Sequence, residues 1–139
     1  MLNIRYWYEF CFNNSVKKVL IIDDNELIRH SLKRVFCHYP VEVSLAVKGS
    51  DAITEIFSHF YDLCMLDICL PDISGIEVIK HLRLLSPATK IAIMTAPPIS
   101  DDSKGCVLME ANYFIEKPFD LSEIKMLAKM LLSEEGPSA

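Results

Sequence analysis

An apolar run that stops abruptly at a carboxylate, Met65-Leu66-Asp67, poses a chemical question. Asp67 can close a strand, hold a metal or act as a nucleophile, and Asp72, five residues on, is its nearest rival. Similar stops recur along the chain. Asp23 and Asp24 follow Lys17-Lys18-Val19-Leu20-Ile21-Ile22, Thr95 follows Lys90 to Met94, and Lys117 comes shortly after Tyr113-Phe114-Ile115. Three carboxylates within a few ångströms repel one another, and some would take up protons unless cations balanced them. A divalent ion together with the Lys117 ammonium would set three positive charges against three negative ones. A ligand set made of oxygens, with no His or Cys side chain in it, favours Mg²⁺ over zinc. Taken singly, Asp24 or Asn25 in front of a helix reads as an N-cap. Four strand ends of five bearing such residues is hard to obtain from capping alone.

The elements that must bring these groups together follow from periodicity. From Val16 onward, short β-rich runs alternate with runs of helical spacing, which argues for βα units on a parallel sheet. Five strands are expected: Lys17 to Ile22, then Val41, Val43 and Leu45, then Leu63 to Leu66, Lys90 to Met94 and Tyr113 to Ile115. The first is almost continuously apolar, as a strand covered on both faces should be. Five helices are expected between and after them. Ile28, Leu32, Val35, Phe36 and Tyr39 stripe the first, which must stop at Pro40. Gly49-Ser50 opens the second, and Ser74-Gly75-Ile76-Glu77 has the capping-box form that starts the third. A weaker fourth helix falls between Asp101 and Glu110, and Asp120-Leu121-Ser122-Glu123 caps the fifth. The result is a doubly wound α/β sheet whose strands all point one way, so that their carboxyl ends share the edge where ligands bind.

Composition agrees with one folded unit. The 139 residues, 51% hydrophobic and 24% charged with only 4 Gly and 7 Pro, suit a single globular domain. A net charge of −5 without a basic run gives no electrostatic footprint for direct nucleic-acid binding. The cysteines Cys11, Cys37, Cys64, Cys69 and Cys106 are odd in number and lack zinc spacing, which suits reduced thiols in the cytoplasm, with Cys64 and Cys69 read as small hydrophobes. His30, His38, His59 and His81 show no metal-like pairing and read as surface or rim groups. No stretch approaches the ~20 apolar residues of a membrane span. Residues 1–15 stand apart as an extension in which Ile4, Tyr6, Tyr8, Phe10 and Phe12 alternate, the period of an extra strand or an aromatic anchor, or simply of a poorly ordered lead-in. The domain proper is expected over 16–133, and 134–139 is a polar tail.

In this order and spacing, Ile22-Asp23-Asp24-Asn25, Asp67-Ile68-Cys69-Leu70-Pro71-Asp72-Ile73-Ser74-Gly75, Met94-Thr95-Ala96 and Phe114-Ile115-Glu116-Lys117-Pro118-Phe119 make the chain resemble a bacterial two-component response-regulator receiver domain, over about residues 16–133. The resemblance implies a flavodoxin-like, chemotaxis-regulator-like sheet with strand order 2-1-3-4-5. It implies that Asp67 accepts a phosphoryl group from a sensor histidine kinase or phosphotransfer protein. Asp24 and Asp67 would bind Mg²⁺ directly, Asp23 through water, and Cys69 through its backbone carbonyl. Lys117 would offset charge on the phosphoryl oxygens, Thr95 would turn to hydrogen-bond the new group, and Phe114 would pack inward behind it. Those last two moves would switch the face built by the fourth helix, fifth strand and fifth helix, where a partner or a second copy docks. Asp72 is expected to be a solvated loop residue.

Two departures fall near the switch: Pro97 and Pro98 follow Ala96, and Glu110 stands where the family usually has glycine. Other classes fit less well. A phosphatase of the haloacid-dehalogenase type needs a D-x-D nucleophile motif after the first strand, which Asp23-Asp24-Asn25-Glu26 does not supply. A pseudo-receiver, a binding module that takes no phosphate, is at odds with the presence of all five site residues. The expectation is therefore a phosphoacceptor that assists its own phosphorylation and dephosphorylation without being an enzyme in the usual sense, acting alone or as part of a longer regulator.

Overall fold

The computed structural model describes residues 16–96 and 110–133. Within them run β1 (Lys17–Ile22), α1 (Glu26–Phe36), β2 (Val41–Ala46), α2 (Gly49–Ser58), β3 (Leu63–Asp67), α3 (Gly75–Leu85), β4 (Lys90–Thr95), β5 (Tyr113–Glu116) and α4 (Leu121–Ser133). All five strands pair in parallel, in the order β2-β1-β3-β4-β5. The expected sheet is thus the observed one. The aromatic extension, the fourth expected helix with Pro97 and Pro98, and the polar tail lie outside the described residues. No helix among the described residues is long and apolar enough to cross a membrane.

Strand alternation divides the core cleanly. Val19 and Ile21 of β1, Met65 of β3 and Ala92 and Met94 of β4 pack under α1 and α4, against Leu32, Val35, Phe36, Ile124, Leu127 and Leu131. Leu20, Ile22, Cys64, Leu66, Ile91 and Ile93 point the other way, to Ala52, Ile56, Val78, Ile79 and Leu82 of α2 and α3. Successive side chains of a strand face opposite sides, so a sheet covered twice must be apolar at every position. That is why β3 is buried along its whole length, including Asp67.

The helix starts are fixed by polar side chains. Asn25 caps α1, its Oδ1 accepting the amides of Leu27 (2.9 Å) and Ile28 (3.3 Å). Because Asn25 fills the cap, Asp23 and Asp24 are released from that role. Ser74 Oγ accepts the Ile76 amide at 3.2 Å, while the Glu77 carboxylate pairs with Lys80 at 3.4 Å. Asp120 Oδ1 takes the Ser122 amide at 3.2 Å at the start of α4.

Candidate functional site

Each strand delivers its last residues to the same edge. Asp23 directly follows β1 and is fully buried; its amide donates to Ala46 O at 3.2 Å, which continues the β1–β2 ladder past the end of the strand. Asp67 ends β3, opposite Met94 in register, and is 6% exposed. The Lys117 amide donates to Thr95 O at 2.7 Å and so extends the β4–β5 ladder by one step. These backbone bonds place the lysine just after β5 against the carboxylate just after β1 and the one that ends β3. Lys117 Nζ lies 2.7 Å from Asp23 Oδ2 and 3.2 Å from Asp67 Oδ2.

Asp24 is exposed, yet a carboxylate oxygen from each of Asp23, Asp24 and Asp67 falls within 4.8 Å of the others. The three acids that the sequence singles out are therefore together. Backbone amides hold two of them: Asn25 N–H donates to Asp23 Oδ1 at 2.9 Å and Cys69 N–H to Asp67 Oδ1 at 3.0 Å. Burial raises the Asp67 pKa; the Cys69 amide and the Lys117 ammonium pull it back, Asp23 pushes it further, and the net is upward. For Lys117, burial opposes the charge but is outweighed by the bond to Asp23 and by the charges of Asp23 and Asp67, so its pKa is raised. One ammonium against three carboxylates leaves a local excess of two negative charges. An oxygen-lined site with that charge fits a hard divalent cation such as Mg²⁺.

Thr95 is 2% exposed and continues the side of β4 that carries Ile91 and Ile93. Among the described residues its hydroxyl donates to Ala96 O at 3.4 Å and not to the acid cluster. Phe114 is half-buried against the α2/α3 side of the core. Glu110 is exposed, and its carbonyl accepts from Arg83 Nη2 at 2.7 Å.

Two expectations need correction. Cys69 is exposed rather than a core hydrophobe, because it lies past the end of β3; of this pair it is Cys64 that is buried, and burial pushes its thiol pKa up. Asp72 is exposed as expected but is not merely solvated: it accepts the amides of Gly49 (2.7 Å) and Ser50 (2.9 Å) at the start of α2. The histidines behave as read, with His30, His38 and His59 exposed and His81 half-buried.

Two supports of the site went unread in the sequence. Arg29 Nη1 donates to the Asp23 carbonyl at 2.8 Å and so steadies the acidic turn from α1. Gly75 lets α3 begin against the end of β3. A Cβ there would stand 2.7 Å from Ile68 Cα and 2.9 Å from Asp67 O, backbone atoms that cannot turn aside.

A doubly wound sheet with a lysine-bridged acid cluster at its carboxyl edge defines an aspartate-centred α/β module. Comparison with known proteins gives the family. Residues 19–129 match the response regulator receiver domain, and the chain belongs to that family. It is 30% identical over 118 residues to the response regulator ArlR of Staphylococcus aureus (strain NCTC 8325 / PS 47), a match covering 85% of this chain and 53% of the relative. The chain thus spans about half the length of the curated relatives it matches. Among solved structures it is similar to a CheY-like response regulator receiver domain protein from Methanospirillum hungatei JF-1, with a TM-score of 0.78, 28% identity and coverage of 87% of this chain and 97% of that one. The signal receiver domain of a putative Luxo repressor protein from Vibrio parahaemolyticus gives a TM-score of 0.77 at 26% identity, over 86% of this chain and 92% of that one.

Proposed function

We propose that this domain receives a phosphoryl group on Asp67 from the phosphohistidine of a sensor kinase or phosphotransfer protein in the cytoplasm. The observation that carries the proposal is the Lys117 ammonium lying between Asp23 and Asp67, with Asp24 in reach of both acids. A carboxylate oxygen of Asp67 attacks phosphorus, a P–O bond forms, the P–N bond to the imidazole breaks, and the leaving imidazole takes up a proton from solvent. Asp24, Asp67 and the Cys69 carbonyl would hold Mg²⁺, with Asp23 reaching it through water. When bound, the ion supplies charge compensation for the phosphoryl oxygens. Lys117 supplies the remaining positive charge from a fixed position, and preorganised charge is the main aid a protein can give to this reaction. Water later cleaves the acyl phosphate and returns Asp67 with release of inorganic phosphate.

The resting position of the Thr95 hydroxyl, on its own neighbour's carbonyl, leaves it free to turn toward the new group. Inward packing of Phe114 then biases the face of β5 and α4, which would dock an output partner or a second copy. Incubation with Mg²⁺ and a small acyl-phosphate donor should add one phosphoryl group by mass, and Asp67→Asn should abolish the gain. A parent protein that gains nothing under conditions that label another receiver would sink the reading.

A further inference from the structure

The helix α2 is capped from a distance. Lys48 occupies the N-cap position with extended backbone (φ −139°, ψ 167°) but offers no side-chain hydrogen bond. The two orphan amides are met instead by Asp72, 23 residues ahead of Gly49, whose Oδ1 takes Gly49 N–H at 2.7 Å and whose Oδ2 takes Ser50 N–H at 2.9 Å. A carboxylate at a helix N-terminus also gains from the helix dipole. Against a desolvation penalty, the amides of Ser50 and Gly49 hold the Asp72 carboxyl well below the usual carboxylate range. The contact is closely fitted, since a Cβ on Gly49 would run into the Ile73 side chain.

Asp72 belongs to the loop between β3 and α3, whose other hydrogen bonds to the rest of the fold lie at its ends. Ile68 N–H reaches Met94 O (3.4 Å), Cys69 N–H reaches Asp67 Oδ1 (3.0 Å), and Gly75 N–H reaches Ile68 O (3.0 Å). Between Cys69 and Ser74, the Asp72 pair is the loop's one hydrogen-bonded tie to another element among the described residues. We propose that Asp72 is a positioning residue: by tying the middle of this loop to the start of α2, it fixes the stretch that presents the Cys69 carbonyl beside Asp67 and so sets the affinity for the divalent cation. This rests on the receiver reading above. It assigns Asp72 a part in the site that neither contact with the ion nor contact with phosphate provides.

The inference separates cleanly from a merely structural cap. Asp72→Ala should weaken Mg²⁺ binding, measured by titration calorimetry, by roughly tenfold, as loss of groups that orient ligands does. It should raise by the same factor the Mg²⁺ concentration for half-maximal acyl-phosphate labelling, while the rate at saturating Mg²⁺ returns to the parent's. Asp72→Asn, which keeps one acceptor oxygen, should fall between. In the double variant Asp72→Ala/Lys48→Ser, a local cap on α2 should recover the melting temperature while Mg²⁺ binding stays weak, and this variant carries the test if the single one does not fold. Parent-like Mg²⁺ affinity in Asp72→Ala, or affinity that returns together with Tm in the double variant, overturns the positioning role alone. A parent that takes no phosphoryl group overturns the receiver reading and this role with it.

Discussion

Where the strands begin, Asp62 Oδ2 accepts the Lys18 amide at 2.8 Å, Thr89 Oγ1 donates to Tyr61 O at 2.7 Å, and one guanidinium, Arg83, reaches Thr89 O (2.8 Å), Glu110 O (2.7 Å) and Asn112 Oδ1 (3.1 Å). Where the same strands end, Asp23 and Asp67 share a single ammonium, with a carboxylate oxygen of Asp24 within 4.8 Å of both acids. Both edges use acids, a threonine and a cation. At the lower edge Thr89 and Arg83 close onto neutral carbonyls and the Asn112 amide, and the Asp62 carboxylate takes a backbone amide with Lys17 Nζ 3.8 Å away, which ties α3 and the approaches to β3, β4 and β5 into one frame. At the upper edge the hydrogen bonds are also made, for no buried side-chain N or O among the described residues lacks a partner, but the charges do not cancel. A surplus of negative charge held rigidly on a finished frame is what a divalent cation can use. The frame confers stability; on the proposed function, the surplus serves reactivity at some cost in stability.

Lys117→Met strikes the upper edge hardest. It removes the cation that sits on both Asp23 and Asp67, and labelling of Asp67 should slow by about 10²-fold or more, the scale on which a preorganised charge-stabilising group acts. Because the Lys117 pKa is raised in the folded state, its stabilising contribution is complete below the unfolded lysine value of ~10.4 and fades as pH rises through the folded value. Alkaline melts should therefore narrow the gap between parent and variant.

Arg83→Ala addresses the opposite edge. It strips the carbonyls of Thr89 and Glu110 of a charged donor and should cost about 3 kcal/mol in urea unfolding, while the folded fraction labels at the parent's rate. Labelling that slowed as much as in Lys117→Met would show that the edges are not separate in function. Thr89→Val, which leaves the buried Tyr61 carbonyl without its hydroxyl donor, should cost about 2 kcal/mol with the same indifference to labelling.

The residues of the upper edge were legible in sequence for a specific reason. Asp23, Asp67, Thr95 and Lys117 each interrupt an apolar strand, and parallel crossovers leave only one edge for such interruptions to meet. The strands themselves were legible because a sheet covered on both faces writes itself as unbroken apolar runs. What stayed hidden depends on contacts between residues far apart in the chain. Arg83 sits on α3 with nothing local to mark it as the hub of the lower edge, and its partners Thr89 and Asn112 are ordinary pre-strand residues. Asp72 looked idle because its partners precede it by more than twenty residues; the available signal was Lys48, a poor N-cap in front of Gly49-Ser50. Gly75 was visible as part of a capping box, but its need to lie against Ile68 was not.

The smallest effect tests the charge surplus most directly. The folded-state pKa of Asp67 is raised, so the native protein binds this proton more readily than the unfolded chain does. Stability from this group therefore falls as pH climbs from the unfolded carboxyl value of ~3.9 through the folded one, and at neutral pH ionised Asp67 is a net burden on the fold. Asp67→Asn keeps an Oδ1 for the Cys69 amide, leaves Lys117 its 2.7 Å contact with Asp23, and removes one of the repelling charges. It should melt a few degrees above the parent at pH 7, with the difference shrinking on acidification as Asp67 in the parent takes up its proton. Added Mg²⁺ should raise the parent's Tm more than the variant's, since binding to the native state stabilises in proportion to affinity. A variant that melts below the parent at both neutral and acid pH would mean that Asp67 is held as contentedly as Asp62 at the other edge, and the distinction between frame and surplus would not survive.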